Sequence, residues 1–199
     1  MRPRIVFWRL TSRCLSRLER PSCPTRRGKW SGTSILDLSE LTRVPGNIGL
    51  SERHKLARVR EIFRPYHDRI ATELDRRRAR PTALISVHSF TPVFKTVARL
   101  WHVGVLYNRD PRFAQILMEL LHREEGLVVG DNEPYSVTDA SDYTIPVHGE
   151  QRDLHHVALE IRQDLITAEA GQRMWAALFV RLLPQAYERL NSLQIPKSN

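Results

Sequence analysis

Between Thr82 and Leu165 the chain alternates short apolar runs with clusters of ionisable side chains. Residues 83–87, 102–107, 127–129 and 157–161 are rich in Val, Leu and Ile and too short for buried helices, so they read as covered strands. Longer stretches between and around them carry apolar positions every three or four residues, the spacing of one buried helical stripe. Leu56, Val59, Phe63, Tyr66, Ile70 and Leu74 predict a helix over 51–78, with Ser51 as its cap and Pro65 as an expected kink or break. Phe113, Ile116, Leu117, Leu120 and Leu121 predict a second, opened by Asp110 with Pro111 in its first position. Trp175, Leu178, Phe179, Leu182, Leu183, Ala186 and Leu190 predict a third over 168–190, bent at Pro184. Helices alternating with buried strands predict an α/β sandwich, whose ligands gather beyond the carboxyl ends of strands. His88, Asn108-Arg109, Asp131-Asn132-Glu133 and Glu160 with Arg162 all fall at or just past such ends. Residues 131–150 read as loop, long enough to expect a functional one.

The net charge of +9 invites a nucleic-acid partner, but it is not spread over the chain. Residues 1–30 hold nine basic side chains and one acid, Glu19; the other 169 residues hold 22 basic and 21 acidic groups. The body is nearly neutral, so neither a phosphate-binding surface nor a nucleic-acid partner is expected of it. Pro21, Pro24, Gly28 and Gly32 interrupt the basic segment, and residues 1–40 are expected to be a disordered or non-native tail ahead of a domain over 41–199. Cys14 and Cys23 both lie in the tail, which leaves the body without a disulfide or a cysteine zinc site. No apolar run reaches the length of a membrane span, and the mature protein reads as cytoplasmic.

Two residues in the body carry the strongest chemistry. His88, flanked by Ser86 and Ser89 at a strand end, suits a metal ligand, or a core histidine bonded to backbone. Glu160 stands inside the apolar run 157–161, where burial disfavours the ionised form and suits a carboxyl to proton transfer; the alternative is a structural salt bridge to Arg162 or Arg109. Arg109 and Arg162 are candidate clamps for a substrate carboxylate, because a guanidinium fork matches a carboxylate bidentately. Asn132, Glu133 and the His148 segment are candidate pocket lining. No Gly-rich phosphate loop and no nucleophile elbow is present.

The strings Leu84-Ile85-Ser86-Val87-His88-Ser89-Phe90-Thr91-Pro92, Tyr107-Asn108-Arg109-Asp110-Pro111, Gly130-Asp131-Asn132-Glu133-Pro134-Tyr135 and Glu160-Ile161-Arg162-Gln163-Asp164-Leu165 occur in one order. Together with Val44-Pro45-Gly46-Asn47 and Tyr66-His67, this region closely resembles the N-formylglutamate amidohydrolase family from about Val44 to Leu190. The resemblance implies a three-layer α/β/α sandwich with a mixed sheet, here with its N-terminal part incomplete. It implies zinc-dependent hydrolysis of N-formyl-L-glutamate to formate and L-glutamate, a step of histidine degradation, with His88 as zinc ligand and Glu160 as proton shuttle. The partner implied is a small molecule, an N-formyl amino acid. The family's upstream third, with an Asp-His strand-turn and an Asn-Arg segment, has no counterpart here; no His precedes His54. A truncated or wrongly framed start is therefore expected, with poor zinc binding and weak or absent activity. Two alternatives stay open: an amidase for another N-acyl amino acid or peptide, and a non-catalytic remnant that binds carboxylates. The sequence leaves the oligomeric state open.

Overall fold

The computed structural model describes residues 6–9, 35, 37–39 and 42–194. Most of the expected tail, with both cysteines, lies outside the described residues. One part of it does not fit that expectation: Val6–Arg9 form a strand, β1. The strands that follow are β2 (Leu38–Ser39), β3 (Thr42–Arg43), β4 (Ala83–Phe90), β5 (Val93–Phe94), β6 (Val97–Ala98), β7 (Val103–Leu106), β8 (Val129–Asp131) and β9 (His155–Arg162). Five of them make one mixed sheet in the order β1-β4-β9-β7-β8. β1, β4 and β9 run parallel, β7 runs against β9, and β8 is parallel to β7.

The helices are α1 (Glu52–Arg58), α2 (Arg64–Asp75), α3 (Arg112–Leu121) and α4 (Glu169–Gln194). The single helix expected over 51–78 is two segments joined by a π-helical turn, Val59–Phe63. Pro65 is the reason: it lacks an N–H and its ring crowds the preceding turn, and a π turn widens the backbone just ahead of it. Ser51 caps the first segment, its hydroxyl accepting from the His54 backbone N–H at 3.4 Å. Pro111 stands at the cap of α3 rather than inside it, while the Asp110 carboxylate accepts from the Arg112 N–H at 3.1 Å.

The sheet has two different faces, and strand alternation assigns the residues to them. On one face Ile85, Val87, Val103, Val105, Val157, Leu159 and Ile161 meet α3 and α4, and this is the main core. Trp175, Leu182, Leu183 and Ala186 of α4 are buried there, as their spacing predicts. The other face carries Ser86, His88 and Phe90 of β4 beside Ala158, Glu160 and Arg162 of β9. A smaller apolar cluster of Leu106, Val137, Ile145 and Ala158 covers its lower half. Ile145 comes from a π-helical turn, Thr144–Gly149, inside the stretch expected to be plain loop. α2 reaches the same turn through a buried imidazole pair: His67 Nδ1 lies 3.0 Å from His148 Nε2. The result is an α/β fold with helical structure on both faces of a mixed sheet.

One glycine is needed for this packing. Gly104 pairs with Glu160 across β7 and β9, so both face the same way. A Cβ on Gly104 would collide with the carbonyl of Glu133, which crosses directly over it. Backbone cannot swing aside as a flexible side chain can. Gly104→Ala is expected to destabilise the fold by about 1–3 kcal/mol, read as a lower denaturation midpoint at unchanged m-value. Unchanged stability would show that Glu133 does not pack there.

Candidate active site

β4 and β9 are both longer than their apolar runs suggest, and this changes where the key residues sit. His88 lies within β4 rather than at its end, because backbone pairing continues to Phe90, and Glu160 lies inside β9, as its place in the apolar run 157–161 predicts. In that register His88 stands directly beside Glu160 on adjacent parallel strands, so their side chains leave the same face. His88 Nε2 is 2.7 Å from the Ser86 hydroxyl, a bond that sets the plane of the ring. Glu160 is only 2% exposed. Its third neighbour in the row is Gly104, roofed by the Glu133 backbone. A partly buried imidazole and a buried carboxyl thus share one shallow row of the sheet, with loop backbone closing the β7 side. Such a pair can position a small polar molecule and move a proton.

The structure places the two expected clamps in different settings. Arg109 is 60% exposed at its side chain and forms ion pairs with Asp139 and Glu150. Glu150 also accepts from the Arg109 backbone N–H at 2.8 Å, so the group ties the loop to the end of β7. Arg162 leaves the Glu160 face one alternation further along β9. It pairs with Asp164 at 2.8 Å and donates to the backbone carbonyls of Arg99 and Leu100 at 3.3 and 3.4 Å. Asn132 has a left-handed backbone, φ 51°, and its side-chain oxygen accepts from the Tyr107 N–H at 2.9 Å. That bond shapes the turn after β8. Glu133 contributes its backbone to the roof over Gly104.

Further groups surround the row, and of these only the His148 segment stood out in the sequence as pocket lining. Arg99 is buried, and its guanidinium lies over the rings of Phe94, Tyr135 and Phe90 at 4.5, 4.9 and 5.6 Å. His67 and His148 are stacked with Phe63 and Tyr143 around them. Burial, and then the neighbouring His148, push His67 down to about 3. Burial, and then the charge of Arg152, push His148 down to about 4, against a smaller opposing pull from Asp68 and Asp75. Both imidazoles are therefore neutral at pH 7, one donating to the other. No spacing rule could have paired these groups, since Arg99 meets Tyr135 across 36 positions and His67 meets His148 across 81. A surface groove of about 570 Å³, lined by Leu120, Arg123, Gln185 and Arg189, lies beside α3 and α4 and carries none of this chemistry.

Among the described residues no helix is long and apolar enough to cross a membrane. A profile of the N-formylglutamate amidohydrolase family matches residues 11–167, extending upstream of Val44, where the resemblance was expected to begin. The gene product Atu2144 of Agrobacterium tumefaciens has a similar solved structure, 31% identical with a TM-score of 0.75, over 81% of this chain and 64% of that one. N-formylglutamate amidohydrolase from Ralstonia eutropha JMP134 is 21% identical with a TM-score of 0.48, over 72% of this chain and 55% of that one. The chain thus spans less than two thirds of either structure. No curated protein matches the sequence. With most of its length matched by the profile, the chain belongs to the N-formylglutamate amidohydrolase family.

Proposed function

We propose that the chain hydrolyses the formamide bond of N-formyl-L-glutamate, at the sheet face that carries His88 and Glu160. The observation behind this reading is the direct pairing of those two residues across β4 and β9, with the carboxyl buried. In the reaction a water oxygen bonds to the formyl carbon while Glu160 takes its proton. The C–N bond then breaks, and the same proton passes from Glu160 to the departing nitrogen. Formate and L-glutamate result. The row beside Glu160 is walled by Gly104 and the Glu133 backbone, which keeps the acyl group small. A role in histidine breakdown and a cytoplasmic location belong to the same proposal.

Zinc is the cofactor that the family resemblance implies, with His88 as one ligand. A catalytic zinc usually takes three protein ligands. Among the described residues no three His, Cys, Asp or Glu side chains come together to hold a metal ion. The described residues alone do not fit a zinc centre, and no step above passes through one. Zinc titrated into metal-free protein is accordingly expected to show no tight stoichiometric site. A one-to-one site by calorimetry would prove this wrong.

The lack of a metal-ligand set among the described residues favours one second reading, a protein that binds carboxylates without turnover. Formate release from N-formyl-L-glutamate, with and without added zinc, separates the two. Slow release that requires Glu160 supports hydrolysis; no formate at any protein concentration would leave binding alone.

A further inference from the structure

We propose that Arg99 is the residue that anchors a carboxylate of the substrate; this rests on the hydrolysis reading above and names the charge that its substrate must carry. Arg99 is 7% exposed, and a buried guanidinium is costly unless an anion answers it. Its Nη1 donates to the Thr91 carbonyl and hydroxyl, both at 3.3 Å, and to the Tyr135 hydroxyl at 3.0 Å. None of these is a carboxylate, and Nε and Nη2 make no hydrogen bond to a described residue. The three aromatic faces around it suit a cation but carry no formal charge. Arg109 and Arg162, by contrast, each pair with a carboxylate of the chain.

Two independent contacts put this guanidinium on the Glu160 face. Phe90, beneath it, lies two residues beyond His88 on β4 and so on the same side of the sheet. Tyr135, beside it, packs on the cluster that contains Ala158, two residues before Glu160. Two strand residues span roughly 7 Å. An N-acyl carbon and the α-carboxylate of the same amino acid are one peptide unit apart, about 3.5 Å. A charge-assisted hydrogen bond adds roughly 2.8 Å. An N-formyl amino acid with its formyl carbon at Glu160 therefore brings a carboxylate within reach of Arg99. Arg162 has a positioning role here, because it holds the Arg99 and Leu100 carbonyls.

The test compares N-formyl-L-glutamate with its neutral diamide, which keeps the formyl group and loses both charges. Binding is measured by calorimetry on full-length Glu160→Gln protein, so that neither ligand is consumed. The acid is expected to bind at least tenfold more tightly than the diamide. Arg99→Met is expected to erase that preference, and Arg99→Lys, which keeps the charge without the fork, to weaken it severalfold. Equal binding of acid and diamide overturns the inference, as does a preference that survives in Arg99→Met. Should Arg99→Met fail to fold, Arg99→Lys decides: acid binding as tight as with arginine overturns it. Failure of the two readings is distinguishable. An Arg99-dependent acid preference without formate release sinks hydrolysis and keeps the anchor; formate release with KM unchanged in Arg99→Lys does the reverse.

Discussion

Glu160→Gln is expected to cut formate release by roughly 10²- to 10⁴-fold, the usual contribution of a positioned acid–base group. The substitution keeps the shape of the side chain and removes only its ability to take and return a proton. Substrate affinity should hardly change, because the proposed carboxylate anchor lies two strand residues away. The loss should therefore appear in kcat and leave KM nearly intact. Stability should also hold, since the amide fits the same buried space between His88 and Gly104. A variant that unfolds would assign Glu160 a structural role; one that turns over normally would remove it from the chemistry.

Acidification is expected to destabilise the fold well before its carboxylates titrate. His67 and His148 are held at about 3 and about 4, below the ordinary imidazole value of 6.5. The unfolded chain therefore binds protons at these positions that the folded chain refuses. The stability they contribute is complete above pH 6.5 and falls as pH drops toward 4. Each pH unit over which the unfolded imidazole is protonated and the folded one is not costs about 1.36 kcal/mol, so two groups across two pH units lose at most about 5 kcal/mol. That is a large part of a domain's usual stability. Asp75 and Asp110 are held low by Arg152 and Arg112, respectively. They act in the same direction, but only below the ordinary carboxylate range. Chemical denaturation at about pH 7 and about pH 4.5, either side of most of that window, checks this. Replacing both partners, His67→Phe with His148→Leu, should flatten the difference, and an equally steep loss in that variant would refute the assignment.

Much of the fold was legible because its elements are locally encoded. The stripe from Trp175 to Leu190 is helical by period alone, and every residue named in it is buried. The runs around Leu84 and Leu159 mark the central strands for the same reason. Strand ends were less legible: β4 and β9 outrun their apolar runs because each supplies backbone partners to the other. That pairing is what sets His88 beside Glu160 rather than merely near it. The irregular backbone at Val59–Phe63 was foreshadowed by Pro65, whereas the π turn at Thr144–Gly149 had no such marker. The arginines show the limit most clearly. Arg109 and Arg162 attract attention beside strand ends, yet both meet acids within a few ångströms. Arg99 sits after a short hairpin with nothing distinctive beside it, and its aromatic surroundings assemble only in three dimensions.

His88 and Glu160, paired on one face of the sheet, are expected to act as one unit in the proposed reaction. The most direct test is formate release by four proteins: the wild type, His88→Ala, Glu160→Gln and the double variant. Residues that act as a unit are non-additive, so the double variant is predicted to be no slower than the worse single variant. Losses that multiply in the double variant, or a wild type that never releases formate, would contradict the account.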